Sequence, residues 1–150
     1  MPLKRTFIYS IVTLCILAAG SCKKQEPISA VPSLKFISIS PNPAKQYQDE
    51  IKITIEYTDG DGDLGENTPD VKNLFVTDSR NNVTSAFRIP QQAPDNANII
   101  IRGKLNINLP PQGFIDDTQT SETVVYSMYV VDRAGNQSNV VQSTALVIEK

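Results

Sequence analysis

The chain has 150 residues, and its 14 Lys and Arg residues against 16 Asp and Glu residues give a net charge of −2 at pH 7. It contains two cysteines, no tryptophan and no histidine. These counts exclude Ser-His-Asp and Cys-His nucleophile systems, histidine-based zinc sites and haem ligation by histidine.

The first 21 residues have the layout of an export signal. Lys4 and Arg5 precede an apolar run over residues 7–19, and two small residues follow that run. A span across the hydrocarbon core takes about 18 or more apolar residues, so the short run favours a cleaved secretory signal over a permanent anchor. We therefore predict that residues 1–21 are absent from the mature protein.

Removal of that segment takes Cys15 with it, so Cys22 is the only cysteine of the predicted mature chain. No internal disulfide can then form. A lone thiol in an oxidising compartment pairs with other chains, whereas acylation removes this liability. Lipidation of Cys22 thus accounts for the odd cysteine count.

Residues 17–22, Leu-Ala-Ala-Gly-Ser-Cys, resemble the bacterial lipoprotein signal, although Ala19 stands where such signals usually have Leu. The resemblance implies a covalent lipid on Cys22. Lys23 after the acylated residue implies the outer membrane of a Gram-negative cell, facing the periplasm or the surface. The alternative is cleavage after Gly20 by the ordinary signal peptidase, which would leave a soluble protein with a free thiol.

Residues 22–32 combine charge and proline without apolar periodicity, which predicts a flexible tether. Residues 33–150 are long enough for one domain with a real core. Without the charges of the signal and the tether, the chain keeps 10 basic and 15 acidic residues. Such an acidic surface disfavours nucleic acid and favours cations or basic surfaces as partners.

Seven segments of alternating apolar residues lie between turn-forming clusters, which is typical of an all-β sandwich. The predicted strands are 34–40, 50–58, 71–78, 83–89, 98–109, 123–131 and 140–148. In the clearest of them, Ile51, Ile53 and Ile55 occupy one face. We predict a seven-stranded antiparallel sandwich of Ig-like or fibronectin III-like kind, with a closed barrel as the alternative.

Residues 126–136, Tyr-Ser-Met-Tyr-Val-Val-Asp-Arg-Ala-Gly-Asn, resemble the sixth strand and following turn of bacterial Ig-like modules. Together with the signal at residues 17–22, the chain resembles small Gram-negative outer-membrane lipoproteins with a single Ig-like domain. The Cys and Trp of antibody domains are absent from the domain, so the resemblance does not extend to that branch.

An acidic loop follows the second predicted strand, with Asp59, Asp61 and Asp63 alternating with glycines and Asp70 further on. Crowded carboxylates repel each other unless they splay apart or share a cation. The loop resembles an EF-hand calcium loop at positions one, three, five and twelve, but Leu64 replaces the glycine of position six and strands flank the loop. Solvated Asp-Gly turns without a metal are the alternative.

In a seven-strand sandwich, the loop after the sixth strand shares one end with the acidic loop. We therefore expect Asp132 and Asn136 to complete a calcium site with the loop aspartates, and Asp95 to point to the same end. The bound ion would neutralise this pole and stiffen its loops.

These observations predict a lipid-anchored, non-catalytic Ig-like module of the cell envelope, acting in adhesion or accessory binding of a protein or glycan. The alternative is a glycan-binding component of a carbohydrate uptake system, with Tyr47 or Phe114 as ring contacts. An enzyme with paired carboxylates is a third hypothesis, but carboxylates in a small sandwich usually lie on its solvated surface. Those carboxylates are Glu50, Glu56, Asp116, Asp117 and Glu122.

Overall fold

The computed structural model describes residues 28–150, and this part of the chain forms ten β-strands and no helix. The strands are β1 (Ser33–Ser40), β2 (Ala44–Lys45), β3 (Ile51–Asp59), β4 (Leu74–Asp78), β5 (Thr84–Phe87), β6 (Ile101–Leu109), β7 (Ser121–Val124), β8 (Tyr126–Val130), β9 (Val141–Gln142) and β10 (Leu146–Glu149). Over the same residues, no segment forms the long apolar helix that a membrane crossing requires. The predicted signal, Cys22 and the tether up to residue 27 lie outside the described residues.

The all-β class predicted from the sequence is confirmed, because each of the seven predicted strands overlaps at least one observed strand. The number of strands differs. The segment 123–131 is divided between β7 and β8, the segment 140–148 is divided between β9 and β10, and the short β2 was not predicted.

The strands form three sheets with the orders β1-β3-β6, β5-β4-β8-β9 and β2-β10-β7. Every pair is antiparallel except β2 and β10, which run parallel. The short sheet consists of β2, β10 and β7, which follow β1, β9 and β6 in the chain, each a strand of a longer sheet. It therefore pairs segments that are distant in sequence.

A change of sheet explains why the segment 123–131 is not one strand. Its first half pairs with β10 and its second half pairs with β4, with only Val125 between them. The backbone N–H of Val125 donates to Ser79 Oγ at 2.9 Å, and its carbonyl accepts the N–H of Ser79 at 3.1 Å. Ser79 thus satisfies the groups that the change of sheet removes from the ladder.

The core depends on the inward row of β3, where Ile51, Ile53 and Ile55 are fully buried and Tyr57 is nearly so. These side chains belong to one cluster with the inward residues of β4, β8 and β10. Full burial of one such aliphatic side chain contributes about 1.5–3 kcal/mol. The same alternation turns the last residue of β3, Asp59, toward the interior.

The packed part of the chain begins before Ser33. Pro32 is almost fully buried, and the backbone carbonyl of Ser29 lies against Gly60, where a Cβ atom would collide with it. The end of the predicted tether therefore passes directly over the acidic loop, and Gly60 is the residue that allows the close approach.

A buried ion cluster joins the turn after β4 to β7. Arg80 pairs with Asp78 (Nη2 to Oδ2, 2.7 Å) and with Glu122 (Nη1 to Oε2, 2.9 Å), and the side chains are only 8–11% exposed. Arg80 also donates to the carbonyl of Gly113 at 2.9 Å. Burial opposes ionisation of Glu122, but the N–H groups of Asp116 and Ile115 and the guanidinium lower its pKa below the ordinary value.

We predict that Arg80→Met lowers the free energy of unfolding by about 3–5 kcal/mol, because it leaves two buried carboxylates without their cation. Urea denaturation of the two proteins at pH 7 measures the difference. Arg88→Met is the matched control, since Arg88 is exposed and its Nη1 donates only to the carbonyl of Glu66. Equal losses for both variants would contradict the importance of this ion cluster.

Candidate metal centre

Asp59 is the innermost carboxylate of the acidic loop. It shares the inward face of β3 with Ile55 and Tyr57, and its side chain is 0% exposed. Its Oδ2 accepts the backbone N–H of Leu64 at 3.0 Å, but its Oδ1 has no hydrogen-bond partner among residues 28–150. A buried carboxylate oxygen without a partner is costly unless a proton or a cation compensates for it.

The shape of the loop comes from two glycines and one buried leucine. Gly62 (φ 81°) and Gly65 (φ 90°) adopt left-handed backbone conformations, facing the carbonyls of Ile99 and Pro90 where a Cβ atom has no room. Leu64 is 0% exposed and belongs to the core cluster. Leu64 occupies the position that is glycine in an EF-hand loop. Its side chain packs in the core and anchors the acidic loop there, whereas glycine has no side chain that could do so.

Asp61 and Asp63 flank Gly62 in the acidic loop, and both are partly buried. Each has an Oδ1 that is buried and has no hydrogen-bond partner within the described residues. The other oxygen of Asp63, Oδ2, accepts the backbone N–H of Ala134 at 2.9 Å, and the Asp63 carbonyl accepts the N–H of Arg133 at 3.3 Å. These two hydrogen bonds join the acidic loop to the loop that follows β8.

Asp132 completes the group from that second loop. It is 6% exposed, and one oxygen each of Asp59, Asp63 and Asp132 lie within 4.8 Å of one another. Both oxygens of Asp132 accept hydrogen bonds from Asn136, at 2.7 Å from the backbone N–H and at 2.9 Å from Nδ2. Asn136 thus holds Asp132 in orientation with its amide nitrogen. Asp61 lies near enough for its charge to raise the pKa of both Asp59 and Asp63. We call Asp59, Asp63 and Asp132, together with Asp61, the carboxylate cluster.

The remaining predicted residues divide into two cases. Asp70, which matches position twelve of an EF-hand loop, is exposed and lies outside the close group of carboxylates. That group therefore contains no residue equivalent to position twelve. Asp95 comes to the same pole as expected: it borders one groove together with Asp61 and Asp63, and its Oδ1 lies 4.0 Å from Arg133 Nη2.

The electrostatics of the carboxylate cluster are unfavourable without a counter-charge. Burial raises the pKa of Asp59, and the charges of Asp61 and Asp132 raise it further. Burial, followed by the charges of Asp132 and Asp61, raises the pKa of Asp63 to about 6. Two carboxylates 4.8 Å apart repel by about 3–4 kcal/mol at an effective dielectric of 20.

The described part of the chain supplies no lysine or arginine in an ion pair with Asp59, Asp63 or Asp132. Arg133 is the nearest guanidinium in sequence, but it pairs with Asp95 and donates to the carbonyl of Gly65. Oxygen ligands of this kind suit hard cations such as Ca²⁺, which accepts six to eight oxygens in flexible geometry. The donor set therefore fits the calcium ion expected from the sequence.

The carboxylates named for acid-base chemistry do not converge in this way. Glu50, Asp116 and Asp117 are exposed, and Glu56 is half-buried on the outer side of β3. The N–H groups of Asp116 and Ile115 and the guanidinium of Arg80 lower the pKa of Glu122 and so keep it ionised.

The two aromatic residues named as sugar contacts differ in exposure. Phe114 is only 8% exposed and packs in the core, whereas Tyr47 is 69% exposed.

No protein-family model matches the chain, and a search of curated proteins finds no match either.

We predict an unusual pH dependence of stability in calcium-free solution. The folded-state pKa of Asp63 is raised from 3.8 to about 6, so the folded protein binds a proton at Asp63 more tightly than the unfolded chain does. The stability gained from this proton is complete below the unfolded pKa and is lost as pH rises through about 6. The free energy of unfolding should therefore fall relative to that of Asp63→Asn between about pH 4 and 6. Urea denaturation in chelator at several pH values tests this; a constant difference between the two proteins would contradict it.

Proposed function

We propose that Asp59, Asp61, Asp63 and Asp132 bind a calcium ion that orders one pole of the domain. The observation that supports this most strongly is the Oδ1 atom of Asp59, which is fully buried and has no hydrogen-bond donor among residues 28–150. One carboxylate oxygen of Asp59 lies within 4.8 Å of carboxylate oxygens of Asp63 and Asp132. A divalent cation at this point would satisfy all of them together.

The opposite end of β8 offers an internal comparison. There, the buried carboxylates Asp78 and Glu122 are neutralised by Arg80, which the chain itself supplies. The carboxylate cluster at the Val130 end is buried to a similar degree but has no such side chain in the described residues. The same folding constraint is met at one end by a guanidinium and, on this proposal, at the other by a metal ion.

The proposed role of the ion is mechanical. The acidic loop and the loop after β8 already share the hydrogen bond from Ala134 to Asp63, and a cation between their carboxylates would join them more firmly. Ser29 lies against Gly60 of the same loop. Calcium would thus stiffen the pole at which the chain enters the domain.

We further propose that the domain is an Ig-like sandwich. The orders β1-β3-β6 and β5-β4-β8-β9 correspond to strands A-B-E and C′-C-F-G of that architecture. Tyr126 begins the strand equivalent to F, where a corner tyrosine often lies. Its hydroxyl has no partner among the described residues, and the residue is 2% exposed, which favours a core role over that of a hydrogen-bonded corner tyrosine.

Together with the lipoprotein-like signal, these features support a lipid-anchored, non-catalytic module of the cell envelope, held at the outer membrane through Cys22 and binding a protein or glycan ligand. The second candidate, glycan binding within a carbohydrate uptake system, retains Tyr47 as an exposed ring, whereas Phe114 is buried in the core.

Calcium should raise the melting temperature of the protein relative to excess chelator. At about 100 times the dissociation constant, for example about 10 mM Ca²⁺ and a constant of about 0.1 mM, binding adds about 2.7 kcal/mol to stability. Asp61→Asn and Asp63→Asn should each reduce this increase, because each removes one ligand charge. Differential scanning calorimetry measures the shift.

Asp70→Asn is the matched control for that experiment, since it removes the same charge from an exposed position outside the carboxylate cluster. Its calcium response should equal that of the unaltered protein. Melting temperatures that are identical in calcium and in chelator would refute the site.

Lipidation predicts that the mature amino-terminal residue is Cys22 with diacylglycerol on its sulfur. Intact-mass spectrometry of protein extracted from membranes should find a chain that begins at residue 22 and carries the added lipid mass. Cys22→Ser should remain unprocessed by the lipoprotein pathway and appear at its precursor mass. A chain that begins at Ser21 with a free thiol would support the ordinary signal peptidase instead.

A further inference from the structure

A groove of about 700 Å³ opens directly beside the carboxylate cluster. Its polar lining consists of Asp61, Asp63, Asp95, Asn96, Asn98 and Arg133. We call this surface the polar groove. Its volume falls within the range of about 300–1,000 Å³ that is usual for small-molecule sites. Two of its lining residues, Asp61 and Asp63, also belong to the proposed calcium site.

The number of protein ligands leaves room for a ligand on the ion. If each member of the carboxylate cluster contributes one oxygen, calcium has four protein ligands and still accepts two to four more. Asp59 and Asp132 are buried and close the inner side, whereas Asp61 and Asp63 are half-buried and border the groove. On the proposed site the open coordination positions would lie toward the polar groove, because Asp61 and Asp63 line it whereas Asp59 and Asp132 do not.

Charge decides which oxygen ligand can enter. The four carboxylates hold four negative charges, and one Ca²⁺ compensates only two of them. Asp95 and Arg133 offset each other, since their charged atoms lie 4.0 Å apart. The pole stays negative with the ion bound, so carboxylate or phosphate ligands are repelled and neutral hydroxyl oxygens are favoured.

The rim adds hydrogen-bonding groups that suit the same ligand. Asn96 and Asn98 are exposed beside the groove, and each carboxamide offers both donor and acceptor atoms to a hydroxyl. Among the described residues that line the groove, none is aromatic. Recognition here would thus depend on coordination and hydrogen bonds rather than on ring stacking.

We propose that the polar groove binds a neutral carbohydrate whose two neighbouring hydroxyl groups complete the coordination of the bound calcium ion. This inference rests on the calcium site proposed above and names its ligand class. It places the sugar at the pole formed by the acidic loop and the loop after β8, away from Tyr47 and Phe114. Asn96 and Asn98 orient the ring, and the ion supplies the main attraction.

The test uses the full-length protein and two separate measurements. Isothermal calorimetry with calcium alone establishes whether the ion binds. Retention on immobilised mannan, galactan and β-glucan, in calcium and in excess chelator, then establishes whether a neutral sugar binds to the loaded protein. A lysine-rich peptide on the same support represents the competing occupant that the negative pole also suits.

We expect at least one polysaccharide to retain the protein in calcium and to release it in chelator. Asn98→Ala should weaken retention by about fivefold, the effect of one lost hydrogen bond, while calcium binding stays unchanged. Asn96 adopts a left-handed backbone (φ 59°), so Asn96→Gly is the variant that removes its carboxamide without strain, and the same loss is expected. Asn108→Ala is the matched control, because Asn108 is an exposed asparagine of β6 that does not line the groove. Its retention should equal that of the unaltered protein.

Each other result overturns the inference in a recognisable way. Calcium binding without retention on any of the three polysaccharides leaves the metal site standing and refutes the carbohydrate ligand. Retention that persists in chelator, or retention only on the lysine-rich peptide, refutes it as well. Absence of calcium binding refutes the metal site and this inference together.

Discussion

The buried carboxylate of Asp59 is the constraint on which this pole of the molecule depends. Three isoleucines on the same face of β3 hold that face inward, so strand alternation places Asp59 inside with them. Turning Asp59 outward would expose the isoleucines, at a cost of about 1.5–3 kcal/mol for each. The loop therefore bends back so that the N–H of Leu64 reaches one oxygen of Asp59, while the other oxygen stays buried without a partner among residues 28–150. The Asp59 carboxylate lies beside those of Asp63 and Asp132.

Both ends of β8 meet the same difficulty with buried charge, and they meet it differently. At the Tyr126 end, Arg80 neutralises Asp78 and Glu122 and also holds the carbonyl of Gly113. At the Val130 end, the only guanidinium of the adjoining loop is directed to Asp95 and Gly65. The first arrangement is a buried, fully paired ion cluster with a structural role. The second leaves an acidic recess beside an open groove, where the calcium ion proposed above would bind.

The chain changes sheet at Val125, between the residue that reaches the Arg80 ion cluster and the residue that joins the carboxylate cluster. β7 and β8 are almost continuous in sequence, yet they pair with strands of different sheets. Ser79 and Ser143 bond the backbone groups that flank this point, so the crossing costs few hydrogen bonds. Glu122 before the crossing can consequently reach Arg80, while Asp132 beyond the end of β8 lies at the carboxylate cluster.

The local features of this protein can be read directly from its amino-acid sequence. Apolar alternation identified all seven strand segments, and the Asp-Gly spacing identified the acidic loop, because both patterns act between near neighbours. Three features emerge from the fold alone: Leu64 anchors the loop, Asp70 stays exposed outside the cluster, and two predicted strands divide between sheets. The position of Asp132 beside the loop aspartates was expected, but from the strand order of a sandwich and not from a local pattern. Those outcomes depend on which strands pair and on how the loops pack, and contacts between residues some 70 positions apart leave no periodic trace in the chain.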